Sequence, residues 1–232
     1  MAAVSLTYDD AIATDLDVAG PALARYSLHA TFFLTGTSPE LAKRTDAWRA
    51  LGQAGQELAS HTMHHPCDRS YDFVKKGYAL EDYDLDRMRH ELDESVAFLR
   101  TLGADRGPYT FAYPCGTTWI GEEHTSYTPL AERLFLASRG VGSAIANPRT
   151  DPLGNVPAIP GNGKTGAALI GLVRETVDRS GWLVLLFHGV GGDYLMVDAE
   201  AHDTLLAYLA ANRQTIWTDT FGAVAGHVAS AR

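Results

Sequence analysis

The sequence predicts an α/β fold built on a parallel sheet, either doubly wound or closed into a barrel. Three observations carry that expectation. β-rich runs alternate with helix-like runs along the whole chain, as successive βα units do. Its 232 residues suit an α/β barrel, which reaches this length as one unit, so a single domain over 1–232 is expected. Residues able to do chemistry fall just after strands, where barrels carry their sites.

The β-rich runs are 4–8, 29–34, 57–60, 110–113, 142–146, 183–187 and 215–218. Between them, 84–102 reads as a helix because Met88, Leu92, Val96, Leu99 and Leu102 recur every three or four residues, and Gly103 supplies a stop. Further helices are expected at 39–52, 129–138, 166–178 and 199–211. The longest irregular stretches, 64–83, 116–127 and 147–165, are candidate functional loops.

Composition narrows the function. With 46% hydrophobic and 20% charged residues, the chain can bury a sizeable core. Nineteen basic against 28 acidic residues, a net charge of -9, argue against general phosphate-backbone binding and favour a neutral glycan or small molecule over a nucleic acid. No apolar run approaches the ~18 residues that span a membrane. Met1-Ala2-Ala3 leads straight into a strand rather than into a signal peptide. The expectation is therefore a cytoplasmic protein, or a secreted or periplasmic one whose signal was removed. Oligomeric state is not legible.

Asp9 and Asp10 are adjacent carboxylates after an apolar strand. They are either a solvated turn, or a metal ligand beside a general base, since like charges so close need a compensating cation or donor. His61 and His65 stand four apart, a spacing that can aim two imidazoles at one ion. With a carboxylate this set suits zinc, and by ligand type cobalt or nickel. The residues between lack the Glu of a His-Glu-x-x-His protease. His64 should point away, as a supporting or surface residue. His188 ends an apolar strand ahead of Gly189, and is either structural or catalytic.

Taken together and in order, Thr7-Tyr8-Asp9-Asp10, Ala30-Thr31-Phe32-Phe33-Leu34, His61-Thr62-x-x-His65-Pro66, Phe111-Ala112-Tyr113-Pro114-Cys115-Gly116 and Leu186-Phe187-His188 resemble the polysaccharide deacetylases, the nodulation-deacetylase group of carbohydrate esterases. The resemblance spans nearly the whole chain. It implies a distorted (β/α) barrel with seven strands and removal of N- or O-linked acetyl groups from a carbohydrate. One divalent metal ion would be held by Asp10, His61 and His65. Asp9 would be the base, His188 the acid, and the backbone N–H of Cys115 an oxyanion donor. Water activated at the metal would attack the acetyl carbonyl.

The sequence also departs from that family's pattern. Ala11 stands where Gly is frequent, and Ala112 where an Arg often orients the base. Arg139 is the candidate replacement, with a solvated helix end as its alternative. No Asp-Trp element is found in 147–164, which leaves the partner of His188 open; Asp151 is one candidate. Cys67, two residues past the metal motif, and Cys115, in an adjacent loop, are expected to form a disulfide, with independent thiols as the alternative. The bridge would imply an oxidising compartment. Tyr113, Trp119 and Tyr194 are candidate sugar-stacking residues. Two other readings stay open: a hydrolase of a small amide or cyclic ureide, and a catalytically silent carbohydrate-binding relative.

Overall fold

The computed structural model describes residues 2–104 and 107–232. Strand β1 (Ala2–Asp9) is buried at every position, the signature of a strand covered on both faces. It pairs in parallel with β9 (Trp182–Phe187) over Ala3–Tyr8 on one edge, and with β2 (Thr31–Leu34) over Thr7–Asp9 on the other. From β2 the sheet continues through β3 (Glu57–Ser60), β4 (Thr110–Ala112), β7 (Ala137–Val141) and β8 (Val156–Pro160) back to β9. The result is a closed, parallel, seven-stranded barrel ringed by helices. A small hairpin, β5 (Trp119–Ile120) and β6 (Thr125–Ser126), stands apart from it.

The membership of the ring differs from expectation in three places. The expected strand at 215–218 exists as β10 (Ile216–Thr218), but it pairs only with Ala2–Val4 of β1 and leaves the ring to β8. No strand forms at 142–146; the strand is β7, just before it. Its sequence Ala-Ser-Arg-Gly-Val carries a buried Arg where an apolar residue would have marked the alternation. Strand β8 falls inside the stretch 147–165 expected to be irregular, and it carries Pro157 and Pro160 within it. It pairs with β7 over Val156–Ala158 and with β9 over Ile159–Pro160, so neither ladder is long.

Helices α1 (Gly20–Tyr26), α2 (Pro39–Lys43), α3 (Thr45–Gln53), α4 (Leu85–Thr101), α5 (Thr128–Leu134), α6 (Gly166–Arg179) and α7 (Ala199–Ala211) pack outside the barrel, and a π-helical turn (Asp15–Ala19) precedes α1. The expected helix at 39–52 is two helices because Arg44 (φ -129°, ψ 32°) breaks it. Helix α5 stops short of 138 because the chain is already in β7. Helix α4 begins at Asp84, whose carboxylate accepts from the Arg87 amide, and is followed by Gly103 at φ 90°.

Alternation divides the core in two. Val4, Leu6 and Tyr8 face the helices and pack with Leu23, Trp48, Leu169 and Leu205. Ala3 turns inward with Phe33, Ala59, Ala112, Ala137, Val184 and Leu186. Small residues thus fill much of the barrel interior. Helix α8 (Phe221–Ser230), which the sequence reading did not anticipate, covers one end. Its Phe221 stacks on Trp182, and its first amides bond Thr31 and Glu57, the opening residues of β9, β2 and β3. The opposite end, where the strands finish, is left for the site.

Candidate metal centre

The same alternation delivers the functional side chains. Asp9 continues the inward face of Ala3, Ser5 and Thr7; His61 follows Ala59; Arg139 follows Ala137; His188 follows Val184 and Leu186. Adjacent Asp9 and Asp10 could not both reach one point on a regular strand. They do so because the chain turns: Asp10 and Ala11 have φ of 79° and 57°. Ala11 therefore occupies the conformation that Gly adopts freely, at a cost of about 1–2 kcal/mol. Thr62, His65 and Cys115 also have positive φ, at 64°, 53° and 55°. Backbone strain is concentrated around this site.

Oδ1 of Asp10 lies 3.5 Å from Nε2 of His61 and 3.4 Å from Nε2 of His65. All three donor atoms fall within 4.8 Å of one another. Two donors each about 2.1 Å from one ion at a tetrahedral angle are about 3.4 Å apart, so the set fits a divalent metal. Each imidazole is oriented from behind. His61 Nδ1 hydrogen-bonds the Ala112 carbonyl at 2.8 Å, leaving Nε2 as the free donor. The His65 amide donates to the Thr62 hydroxyl at 2.9 Å, and its Nδ1 lies 3.5 Å from Cys67 Sγ.

Asp9 has one oxygen held and one free. Nη2 of Arg139 donates to Oδ2 at 2.5 Å, whereas Oδ1 is buried without a hydrogen-bond partner. Oδ2 also lies 3.6 Å from His61 Nε2. Arg139 is fully buried within β7, with its guanidinium 5.1 Å from the centre of the Phe33 ring. It is not a solvated helix end.

On the far side of Asp10, Oδ2 accepts a 2.6 Å hydrogen bond from the Tyr194 hydroxyl and lies 3.7 Å from His188 Nε2. Tyr194 is brought there by the glycine-rich loop after β9. Thr14 clamps that loop, donating its amide to Asp193 and accepting from the Val190 amide. Burial opposes ionisation of Asp10, but His65, His61, His188 and the Tyr194 hydrogen bond outweigh it and hold the carboxyl below its ordinary range. Burial, reinforced by the charge of His61, pushes His65 down to about 4, so its imidazole is neutral near pH 7. Burial and then Asp10 push the Tyr194 hydroxyl up, keeping it a donor.

Two nearby carboxyls were not anticipated. Glu91 of α4 accepts from the amides of Met63 (3.0 Å) and His64 (2.6 Å) and from His64 Nδ1 (2.9 Å). This clamps the loop that carries both imidazoles and turns His64 away, against Tyr78. The signal was present, because Glu91 lies three residues from Met88 on the buried face of the helix. Asp15 accepts from the Ile12 amide at 3.0 Å; burial raises its pKa well above the usual range, against the pull of that bond and with help from Asp10 and Asp9.

A disulfide joins Cys67 to Cys115 with a Cα–Cα distance of 5.9 Å, tying the loop after His65 to the turn after β4. Hydrogen bonds in that turn run from Gly116 to Tyr113 and from Thr117 to Pro114, and the Cys115 N–H takes no part in them. Tyr113 does not line the mouth. It is 1% exposed, packed on Phe111 and Tyr127, and its hydroxyl donates to Gly154. Trp119 is half-buried with one face stacked on His124 at 3.7 Å. Asp151 accepts from the Asn147 amide instead of serving His188, whose only carboxylate neighbour within 4 Å among the described residues is Asp10.

The family model described as polysaccharide deacetylase matches residues 2–127. No curated protein matches the chain. Among solved structures it is similar to a Mycobacterium smegmatis protein assigned as a polysaccharide deacetylase (19% identity, TM-score 0.67, covering 99% of this chain and 90% of that one). It is also similar to the peptidoglycan deacetylase PdaC from Bacillus subtilis (15% identity, TM-score 0.58, covering 100% and 93%). A CE4-family pseudoenzyme from Bacillus anthracis shares the fold as well (15% identity, TM-score 0.58, covering 96% and 64%). Among the described residues, no helix is long and apolar enough to cross a membrane.

Proposed function

Because the chain belongs to the polysaccharide deacetylase family, we propose that it is a metal-dependent hydrolase removing acetyl groups from a carbohydrate. The observation that carries this reading is the convergence of Asp10, His61 and His65 beside a carboxylate, Asp9, with one unpartnered buried oxygen. A buried acceptor with nothing to accept from is costly unless a ligand or proton fills the role.

When bound, a divalent ion, zinc by ligand type, acts as a Lewis acid toward the acetyl carbonyl and makes water more acidic. Asp9 then takes the proton of the attacking water on Oδ1, while Arg139 holds Oδ2 and fixes the carboxylate's orientation. The Cys115 N–H is the donor offered to the developing oxyanion, a contribution typically worth about 10²–10³ in rate. His188, across Asp10 from the two imidazoles, returns a proton to the departing amine or alkoxide. Tyr194 positions Asp10 and, being half-exposed, gives a sugar ring an edge to rest on. Retention of the whole set of Asp9, Asp10, His61, His65 and His188 favours turnover over a silent carbohydrate-binding role.

Acetate release from acetyl-xylan and chitooligosaccharides, with and without chelation, tests the reading and separates ester from amide substrates. Release from neither polymer, in metal-loaded protein that binds them, would favour the silent relative.

A further inference from the structure

Cys67, Cys115 and His65 meet beside the centre just described. The sulfurs are bonded to each other, Nδ1 of His65 lies 3.5 Å from Cys67 Sγ, and one donor atom from each residue lies within 4.8 Å of the others. The backbone at both cysteines is anchored independently of the bridge. The Leu80 amide donates to the Cys67 carbonyl at 2.9 Å, and Cys67 forms a β-bridge with Ala79. Around Cys115, Tyr113 donates to Arg139, Gly116 to Tyr113 and Thr117 to Pro114. Opening the disulfide therefore leaves two thiols facing each other and the same imidazole. Metal–sulfur bonds of about 2.3 Å and metal–nitrogen bonds of about 2.1 Å at tetrahedral angles place sulfur and nitrogen about 3.6 Å apart, close to the 3.5 Å between Cys67 Sγ and His65 Nδ1.

We propose that the reduced protein carries a second metal site, formed by Cys67 Sγ, Cys115 Sγ and His65 Nδ1, for a thiophilic divalent ion such as zinc or cadmium. Cys115 is partly exposed, so a dithiol can reach the bridge. That dithiol gives two electrons and two protons to the disulfide and closes into a disulfide itself; the two thiols lose their protons when the ion binds. The new site competes with the first. His65 presents Nε2 to Asp10 and Nδ1 to Cys67. A neutral imidazole carries one proton, so ligation through Nδ1 moves it to Nε2, which then offers Asp10 an N–H instead of a lone pair. Occupation of the thiolate site removes His65 from the Asp10–His61 set. This competition rests on the proposed function; the existence of the thiolate site does not.

The test uses the full chain, reduced with dithiothreitol and desalted without oxygen, then titrated with Cd2+. A stoichiometric thiolate-to-cadmium charge-transfer band is expected, absent from oxidised protein and from Cys67→Ser. His65→Gln should weaken cadmium binding by more than about tenfold. Reduced, folded wild-type protein with two alkylatable thiols and no such band would overturn the site. Adding Zn2+ to reduced protein should suppress acetate release, and reoxidation should restore it; undiminished release at full cadmium or zinc loading would overturn the shared use of His65. Loss of activity in both redox states would count against the proposed function while the band still decides the site.

Discussion

Arg139 and Asp9 form an ion pair between β7 and β1 in which neither side chain meets solvent: they are 0% and 4% exposed. The pair uses one carboxylate oxygen and spares the other. Charges taken out of water are stable only while both remain, and removing one partner typically costs about 3–5 kcal/mol. Arg139→Met should lower unfolding free energy by that order in urea titrations. Arg139→Lys should keep much of the stability but slow turnover, because a flexible ammonium does not fix Oδ2 as does a planar guanidinium whose Nη1 also bonds the Gly140 carbonyl. A stable, fully active Met variant would contradict the role given to the pair.

Asp9→Asn tests the division of labour between the adjacent aspartates. The expected variant retains bound metal, measured by elemental analysis, and loses acetate release, because the amide cannot take a proton. Loss of the metal instead would mean that the roles of Asp9 and Asp10 are interchanged.

Tyr194 predicts a separable effect. Its hydroxyl donates to Oδ2 of Asp10, which leaves Oδ1 facing both imidazoles. Tyr194→Phe keeps the ring and removes only the donor. Metal affinity, read by competition with a chromogenic chelator, should fall about 10–100-fold with unfolding free energy nearly unchanged. Unaltered affinity would reduce Tyr194 to a mouth residue.

Away from the site, His202 governs part of the acid stability. It is buried against Tyr8, whose hydroxyl lies 2.6 Å from its Nε2. Burial, opposed by Asp203, pushes its pKa from 6.5 to about 4. Between those values only the unfolded chain binds the proton. The contribution is therefore whole above about pH 6.5 and drains away as pH falls toward 4, amounting to about 3 kcal/mol. Urea titrations across that range should show a shallower acid slope for His202→Gln than for wild type. Parallel slopes would contradict the assignment.

Much of this was legible in the sequence, for a physical reason. Strands β1 and β9 are largely apolar runs that end on Asp9 and on Phe187 before His188, and the short β3 ends on Ser60 before His61, so strand end and chemistry coincide. What stayed hidden is what a linear reading obscures. Arg139 was a candidate, but its strand was not, because a buried charge breaks the apolar pattern that marks one. Prolines disguised β8 as a loop. Glu91 is a charged residue inside a helix marked by its apolar spacing alone, and that spacing does not show that a carboxylate on the same face as Met88 is buried. Tyr113 is a candidate sugar-stacking residue by sequence, yet its ring points into the packing of Phe111 and Tyr127. Tyr194 was read as a sugar platform, and its bond to Asp10 depends on a loop geometry that only coordinates reveal.

The most direct measurement concerns the trio itself: metal content and acetate release in the same samples, before chelation, after it, and after titration back with Zn2+. One ion per chain restoring activity in proportion to occupancy, with both lost in Asp10→Ala, is the predicted result. Full activity in protein shown to be free of metal would contradict the account at its centre.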